Sequence, residues 1–175
     1  MPAERPQLYD QDYRHFDTLI WQAPTWASAV FTFTMTTAGL LLTNLEKVSL
    51  ALKLDPLPTL SVFLLAVFVV LMLLANALVR FRLHQGALPA PAIVVRRPWW
   101  QPRGHTSLLL VIFIESAVLL SFGLYCAGLP IQASNAAAIA LLVVLFPILE
   151  LWVLNTIELQ RHQAQSSGAT SQPTH

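Results

Sequence analysis

Long apolar stretches alternate with short polar segments along this chain, and four of them are each about as long as a bilayer is thick. At a rise of about 1.5 Å per residue, about 20 residues cross a hydrocarbon core of about 30 Å. The pattern predicts an all-α membrane protein with four transmembrane helices in an antiparallel bundle. The predicted spans are residues 26–45, 57–79, 106–127 and 134–154.

A second helical pattern precedes the first span. Four apolar side chains of residues 7–22 recur at helical spacing, namely Tyr9, Tyr13, Phe16 and Ile20. They predict an N-terminal amphipathic interfacial helix within a cytoplasmic segment of residues 1–25, separated from the first span by Pro24. Its polar face is acidic, which favours a protein partner over bare lipid. That partner is either the arginine-rich loop described next or a neighbouring protein.

The loop between the second and third spans, residues 80–105, contains no acid and five arginines: Arg80, Arg82, Arg96, Arg97 and Arg103. Because insertion retains the cations of short loops in the cytoplasm, we expect this loop and both termini to be cytoplasmic. All five tryptophans fall at span ends on that same side, where indole rings prefer the interface: Trp21, Trp26, Trp99, Trp100 and Trp152. We expect an integral protein of a bacterial inner membrane.

Composition narrows the function classes. Charged residues make up 11% of the chain, against about 25% in soluble domains. Cys126 is the one cysteine, so the chain has no internal disulfide, no CxxC redox pair and no thiolate zinc cage. The five histidines lie outside the predicted spans and form no HExxH signature. We therefore expect no catalytic residue, no metal and no cofactor, and nucleic acid is not an expected partner.

Two acids lie inside predicted spans. Glu115 is near the middle of the third span, where an ionised carboxylate costs at least about 2.5 kcal/mol. Glu150 is about one turn from the end of the fourth span. If the intervening turn is centred near Ile131, Glu115 lies opposite Pro147, and Glu150 is about 4.5 Å further along the axis. The two carboxyl groups would then be placed to share a proton or an ion.

Two other side chains complete this candidate proton, ion or gating set, and Pro147 supplies a further acceptor near it. Pro147 leaves the carbonyl of Val143 without its helical donor, and a protonated Glu115 is a candidate replacement. Asn76 and Arg80 lie at about the depth of the second acid and are its expected partners. The set is therefore Glu115, Glu150, Asn76 and Arg80. Hydrogen bonding that only fixes helix packing is the alternative for both acids.

Small and hydroxyl residues share one face of the first span. We name this face the small-residue stripe: Ser28, Thr32, Thr36, Gly39 and Thr43. Such a stripe either lets helices approach closely or lines a wet pore between several copies. The pore needs several copies, whereas close packing serves contacts within one chain or between copies, and we expect a homo-oligomer.

The arginine-rich loop also has two interpretations. It either only obeys the positive-inside bias or binds an anionic lipid or ligand. In the second case, guanidinium groups would bind the anion beside stacking indole rings. The candidate residues are Arg82, Arg96, Arg97, Arg103, Trp99 and Trp100.

Two further segments carry predictions. The second span is almost uniformly Leu, Val and Phe, so we expect it to face lipid. Residues 158–175 are rich in Gln, Ser, Thr and His and predict a disordered cytoplasmic tail.

Taken with the absence of a nucleophile and base pair, these features favour a small, non-enzymatic membrane protein. The first hypothesis is a self-assembling pore-forming or membrane-perturbing subunit, or the membrane partner of a cytoplasmic protein. The alternative is a proton-coupled small-solute transporter that uses Glu115.

Overall fold

The computed structural model describes residues 5–52, 55–87 and 104–169, and within these ranges it contains helices and turns but no strand. The helices are α1 (Arg5–Thr43), α2 (Leu45–Leu52), α3 (Pro56–Ala87), α4 (Gly104–Cys126), α5 (Ile131–Ala140) and α6 (Phe146–Ala169). A π-helical segment, Leu141–Leu145, joins α5 to α6.

Four helical stretches in the described residues are long and apolar enough to cross a membrane. They are Arg14–Thr43, Pro56–Gln85, His105–Cys126 and Ile131–Gln160. The prediction of an all-helical protein with four membrane-length helices is confirmed, and this pattern identifies a multi-pass membrane protein.

The predicted break at Pro24 is wrong, because α1 continues through it from Arg5–Thr43. Proline removes one backbone hydrogen bond, but membrane helices tolerate it where packing compensates. Pro24 is buried, and so are Ile20, Ala23 and Ala27 on either side of it. One continuous buried face therefore supports the helix across the proline.

Helices α3 and α4 form the centre of the molecule. They pack along each other, and α1 packs on both of them. Of the two helices of the fourth span, α5 packs on α4, whereas α6 packs mainly on α3. The second span is buried on one face, at Leu64, Leu71 and Leu78, and exposed on another, at Val62, Val69 and Leu73. The expectation that it faces lipid therefore holds for only part of its surface. Uniform apolar composition does not reveal which face of a helix is covered.

Close contact between α3 and α4 depends on a glycine. A Cβ atom added at Gly123 would lie 2.9 Å from Leu65 Cδ2. Nearby, the buried Ser61 hydroxyl donates to the Gly123 carbonyl at 2.7 Å. The missing side chain thus lets the two helices approach closely enough for this interhelical hydrogen bond.

The turn after α4 is built around Gly128, whose φ is +94°. Gly128 N–H donates to Tyr125 O at 2.9 Å, and Leu129 N–H donates to Leu124 O at 3.1 Å. This pair of bonds is the Schellman arrangement that ends many helices, and it favours glycine at the left-handed position. The predicted turn centre near Ile131 is wrong, because Ile131 already begins α5.

Two interhelical hydrogen bonds give the register between the third and fourth spans. Ser121 Oγ donates to Asn135 Oδ1 at 2.7 Å, and Thr106 Oγ1 donates to Glu150 Oε1 at 2.6 Å. Each pair is equidistant in sequence from Gly128. These bonds join Glu150 to the start of α4, and we name the surrounding region the Glu150 end. The opposite region, around Ser61 and its bond to α4, is the Gly123 end.

The fourth span widens just before Pro147. In the segment Leu141–Leu145 the helix takes the π form, and the N–H of Phe146 donates to Leu141 O. An ordinary α-turn would bring the proline ring against the Val143 carbonyl. The wider turn gives that carbonyl room, and such π-bulges are frequent at functional sites.

The predicted disordered tail differs from the structure over most of its length. Helix α6 continues without a break to Ala169, past the predicted end of the fourth span at residue 154 and into the predicted tail of residues 158–175. Residues 170–175 lie outside the described part of the chain.

Candidate functional site

Glu115 lies on the inner face of α4 and is only 9% exposed. The Ser28 hydroxyl of α1 donates to Glu115 Oε1 at 2.5 Å, across 87 residues of sequence. Most other span hydroxyls bond back to their own helix, as Thr34 does to Val30 O at 2.7 Å. Ser28 instead connects α1 to α4 through the carboxyl group.

The second carboxyl oxygen of Glu115 has no such partner. Oε2 is buried, and no described residue forms a hydrogen bond with it. The adjacent Ser116 is not available to it, because its hydroxyl donates to Ile112 O at 2.7 Å. A buried polar atom without a partner is uncommon in proteins and calls for an explanation.

Glu150 has a different environment, although it is also buried, at 8% exposure. Arg82 donates to both of its oxygens, from Nη1 to Oε2 at 2.7 Å and from Nη2 to Oε1 at 2.9 Å. Thr106 adds the third bond described above. This bidentate pair neutralises the carboxylate and links α3, α4 and α6 at one end of the molecule.

Two predictions about this pair are wrong. The expected partners Asn76 and Arg80 are exposed on α3, whereas Arg82 makes the salt bridge. At about 100° per residue, side chains two positions apart point to nearly opposite faces of a helix. Arg82 was also a candidate for binding an anionic lipid or ligand, but its side chain is only 2% exposed and is held by Glu150.

The predicted sharing of a proton between the two acids is wrong as well. Because Glu150 bonds to Thr106, it lies nine residues along α4 from Glu115, or about 13.5 Å. The expected bond from Glu115 to the Val143 carbonyl is absent from the described contacts, and Val143 is 66% exposed. Both errors follow from the misplaced turn.

The small-residue stripe lies mostly on the surface of the single chain. Thr32, Thr36, Gly39 and Thr43 are exposed, and Ser28 is half-buried against Glu115. A Cβ atom at Gly39 would have nothing within 4 Å. Thr36 donates to Thr32 O at 2.8 Å, which leaves its hydroxyl oxygen able to accept.

The N-terminal part of α1 contacts residues of segment 80–105, which was one of its two expected partners, but through side chains that sequence reasoning did not single out. His105 Nε2 lies 3.8 Å from Asp17 Oδ1, and Gln85 Nε2 donates to the same oxygen at 3.4 Å. The rings of Phe16 and His84 stack with centroids 5.8 Å apart. These contacts attach the acidic N-terminal part of α1 to α3 and α4.

The other candidates for binding an anionic lipid or ligand lie outside the described residues, so their roles stay predictions. These are Arg96, Arg97, Trp99, Trp100 and Arg103. Among the described residues, no group of three His, Cys, Asp or Glu side chains is placed to hold a metal ion. No family model, curated protein or solved structure matches the chain.

Proposed function

We propose that this protein is a proton-coupled small-solute transporter in which Glu115 binds and releases the proton. The observation that carries the proposal is the contrast between its two buried membrane acids. Glu150 has a cation and a hydroxyl, as expected of a structural ion pair. Glu115 has one hydroxyl, and its second oxygen has no partner among the described residues.

This contrast favours proton exchange for a physical reason. Removing a proton from Glu115 places a charge in the hydrocarbon region, and the Ser28 hydroxyl supplies a dipole but no opposite charge. Release of the proton therefore needs a compensating partner for the carboxylate, and we propose that a bound or passing solute is that partner. Buried carboxyl groups of pumps and transporters relay protons under this same constraint.

We also infer an antiparallel bundle with both termini in the cytoplasm of a bacterial inner membrane. The register across Gly128 supports the reversal of direction between the third and fourth spans. The five arginines of residues 80–105 support the orientation. The N-terminal part of α1 would then lie in the cytoplasm or at its interface.

The experiment uses purified protein in liposomes that contain a trapped pH indicator. A pH gradient is imposed, and a panel of small neutral, anionic and cationic solutes is added one at a time. We expect at least one solute to dissipate the gradient in wild type and in the exposed-residue control Glu158→Gln, but not in Glu115→Gln. Equal dissipation by Glu115→Gln, or no solute-dependent dissipation by any protein, would contradict the proposal.

The second candidate is a self-assembling subunit, either pore-forming or membrane-perturbing, or the membrane partner of a cytoplasmic protein. The exposed part of the small-residue stripe favours it, because Gly39 leaves open space on the chain's surface. A conducting path between copies and a proton-binding group within each copy are compatible. Each candidate is therefore tested by its own experiment, proton exchange for the transporter and oligomeric mass for the self-assembling subunit.

A further inference from the structure

Two histidines contact consecutive residues of α1 at the Glu150 end. His105 Nε2 of α4 lies 3.8 Å from Asp17 Oδ1. The ring of His84 of α3 stacks on that of Phe16, with centroids 5.8 Å apart and planes 19° from parallel. We propose that these two histidines form a pH-sensitive latch, which holds the N-terminal part of α1 against α3 and α4 when the aqueous phase at this end is acidic. The latch does not depend on proton transport by Glu115.

The contact between His105 and Asp17 depends on charge. At 3.8 Å its two atoms are beyond the usual hydrogen-bond length of about 2.7–3.2 Å, so a neutral imidazole adds little attraction. A protonated His105 is attracted to the carboxylate as an ion pair over this distance. Histidine changes its charge between about pH 5 and 8, a range in which exposed aspartates are generally ionised. Acidification therefore strengthens this contact.

The contact between His84 and Phe16 changes in the same direction. A cation within about 6 Å of a ring centroid is attracted to the face of the ring, and the nearly parallel planes place His84 over that face. Protonation of His84 therefore adds a cation–π attraction to the stacking. Because the two histidines belong to different helices, one proton on each fastens α1 to both α3 and α4.

Both histidines are placed to follow the pH of the surrounding water. They lie at the ends of membrane-length stretches, where His84 is exposed and the side chains of His105 and Asp17 are 28% and 44% exposed. Phe16 also contacts Phe81, with ring centroids 6.4 Å apart, and this contact carries no charge. A rise in pH therefore loosens the N-terminal part of α1 and does not release it.

The other charged or titratable groups around the latch do not supply the same dependence. Three of them are arginines, which keep their charge throughout this pH range: Arg14, Arg80 and Arg82. Glu150 is held in the salt bridge with Arg82. His15 is exposed and contacts Phe16 within α1 itself, so this contact stays with α1 whether or not the helix is docked.

The latch anchors the helix that contacts Glu115. α1 is continuous from Arg5–Thr43, and Ser28, whose hydroxyl bonds to Glu115, lies eleven residues from Asp17, or about 16.5 Å along the axis. Firm docking at Asp17 therefore restricts tilting of the helix at Ser28. The pH of one aqueous phase is thereby linked to a contact inside the membrane.

Hydrogen–deuterium exchange of the protein in liposomes, equilibrated on both sides at about pH 5.5 or about pH 8, tests the latch. The readout is the exchange rate of the amides of residues 14–20, divided by the rate of the same peptide when unfolded at the same pH. We define the pH ratio as this normalised rate at the higher pH divided by that at the lower pH. We expect a wild-type ratio of about two to five, the range that partly exposed ion pairs produce.

Two histidine variants separate the contacts. His105→Gln and His84→Phe, which keeps a ring over Phe16, should each reduce the pH ratio, and the double variant should bring it close to one. His162→Gln is the control, because His162 is exposed on α6 and the described part of α6 does not contact α1. A wild-type ratio near one, or a double variant that keeps the wild-type ratio, would overturn the latch.

Asp17→Asn tests the ion pair from α1, and it serves alone if His105→Gln fails to fold. It should lower the pH ratio as much as His105→Gln, and the two changes combined should lower it no further, since they remove the same ion pair. Additive losses would overturn the pairing of these two side chains. The exchange measurement requires no transported solute, so its outcome is separate from that of the proposed transporter.

Discussion

At the scale of single residues, the partners of Glu115 and Glu150 separate two roles for membrane acids. Glu150 accepts two hydrogen bonds from Arg82, and this opposite charge lowers the cost of keeping the carboxylate ionised in a buried site. Among the described residues, Glu115 has the Ser28 hydroxyl as its one hydrogen-bond partner, and its Oε2 atom has none. We therefore propose a structural role for the Arg82–Glu150 pair and proton exchange for Glu115.

Replacing Ser28 tests whether it positions the carboxyl group. Ser28→Ala should keep a protonated Glu115 but shift its infrared C=O band to higher frequency, because the carbonyl loses a hydrogen bond. Ser116→Ala is the matched control, since its hydroxyl bonds to Ile112 O within α4. If both variants move the band equally, or neither does, the Ser28 contact does not hold Glu115 in the membrane.

The Arg82–Glu150 pair predicts a loss of stability when one partner is removed. Arg82→Met or Glu150→Met should lower the free energy of unfolding by about 3–5 kcal/mol, because each leaves a buried charge uncompensated. The double Met variant should recover most of that loss. Unfolding by SDS in mixed micelles measures these changes, and single variants that lose under about 1 kcal/mol would contradict a buried ion pair.

Sequence reasoning located both acids but not their partners. The depth of Glu115 follows from hydropathy alone, whereas its contact with Ser28 depends on how α1 packs on α4. The partner of Glu150 depends on which face of α3 meets α6. The misplaced turn separately changed the expected register between the third and fourth spans. Gly128 ahead of Pro130 was the available signal, because glycine followed by proline often marks a helix C-terminus.

At the scale of elements, α1 carries two different faces. Its buried face packs on α3 and α4, while most of the small-residue stripe remains on the surface. This division was not predictable from spacing, since small residues serve contacts within a chain and between chains equally well. Because the stripe is exposed in the single chain, we propose the second use.

Assembly through this face predicts a change of mass. Gly39→Leu should convert the detergent-solubilised protein to a smaller species, and Thr36→Leu should act in the same direction, because bulky side chains hold helices apart. Ala66→Leu, on the exposed side of α3, is the control and should leave the mass unchanged. Light scattering after gel filtration gives the mass, and an oligomer that survives both stripe variants would argue against this interface.

The turn after α4 predicts a residue-specific cost. Gly128→Ala should destabilise the protein by about 1–2 kcal/mol, because φ of +94° is unfavourable for a residue with a Cβ atom. Gly128→Asn should cost less, since asparagine tolerates left-handed conformations. SDS unfolding again measures both, and equal losses would show that the backbone conformation does not set the cost.

Hydropathy predicted the number and approximate positions of the spans because each must bury a length fixed by the bilayer. It did not predict continuity through Pro24 or the π segment Leu141–Leu145, since both depend on tertiary contacts. Nor did it predict α6 continuing to Ala169, because the polar composition after residue 157 suggested disorder. Local composition is a weak guide where a long helix is already nucleated.

At the scale of the whole molecule, orientation decides which compartment each end of the bundle faces. From the arginines of residues 80–105 we propose that the Glu150 end faces the cytoplasm and the Gly123 end faces the other compartment. Alkaline phosphatase fused after Gly104 should be inactive, and fused after Asp55 it should be active. The reverse pattern would invert the proposed topology.

Proton exchange by Glu115 in the membrane is the central claim, and infrared difference spectroscopy of the protein in liposomes tests it most directly. The account predicts a protonated-carboxyl band that disappears reversibly as pH rises and shifts in D₂O. This band should be present in wild type and Glu158→Gln and absent in Glu115→Gln. A band that Glu115→Gln retains, or a Glu115 band that neither titrates nor exchanges, would contradict the claim and leave Glu115 as a packing residue.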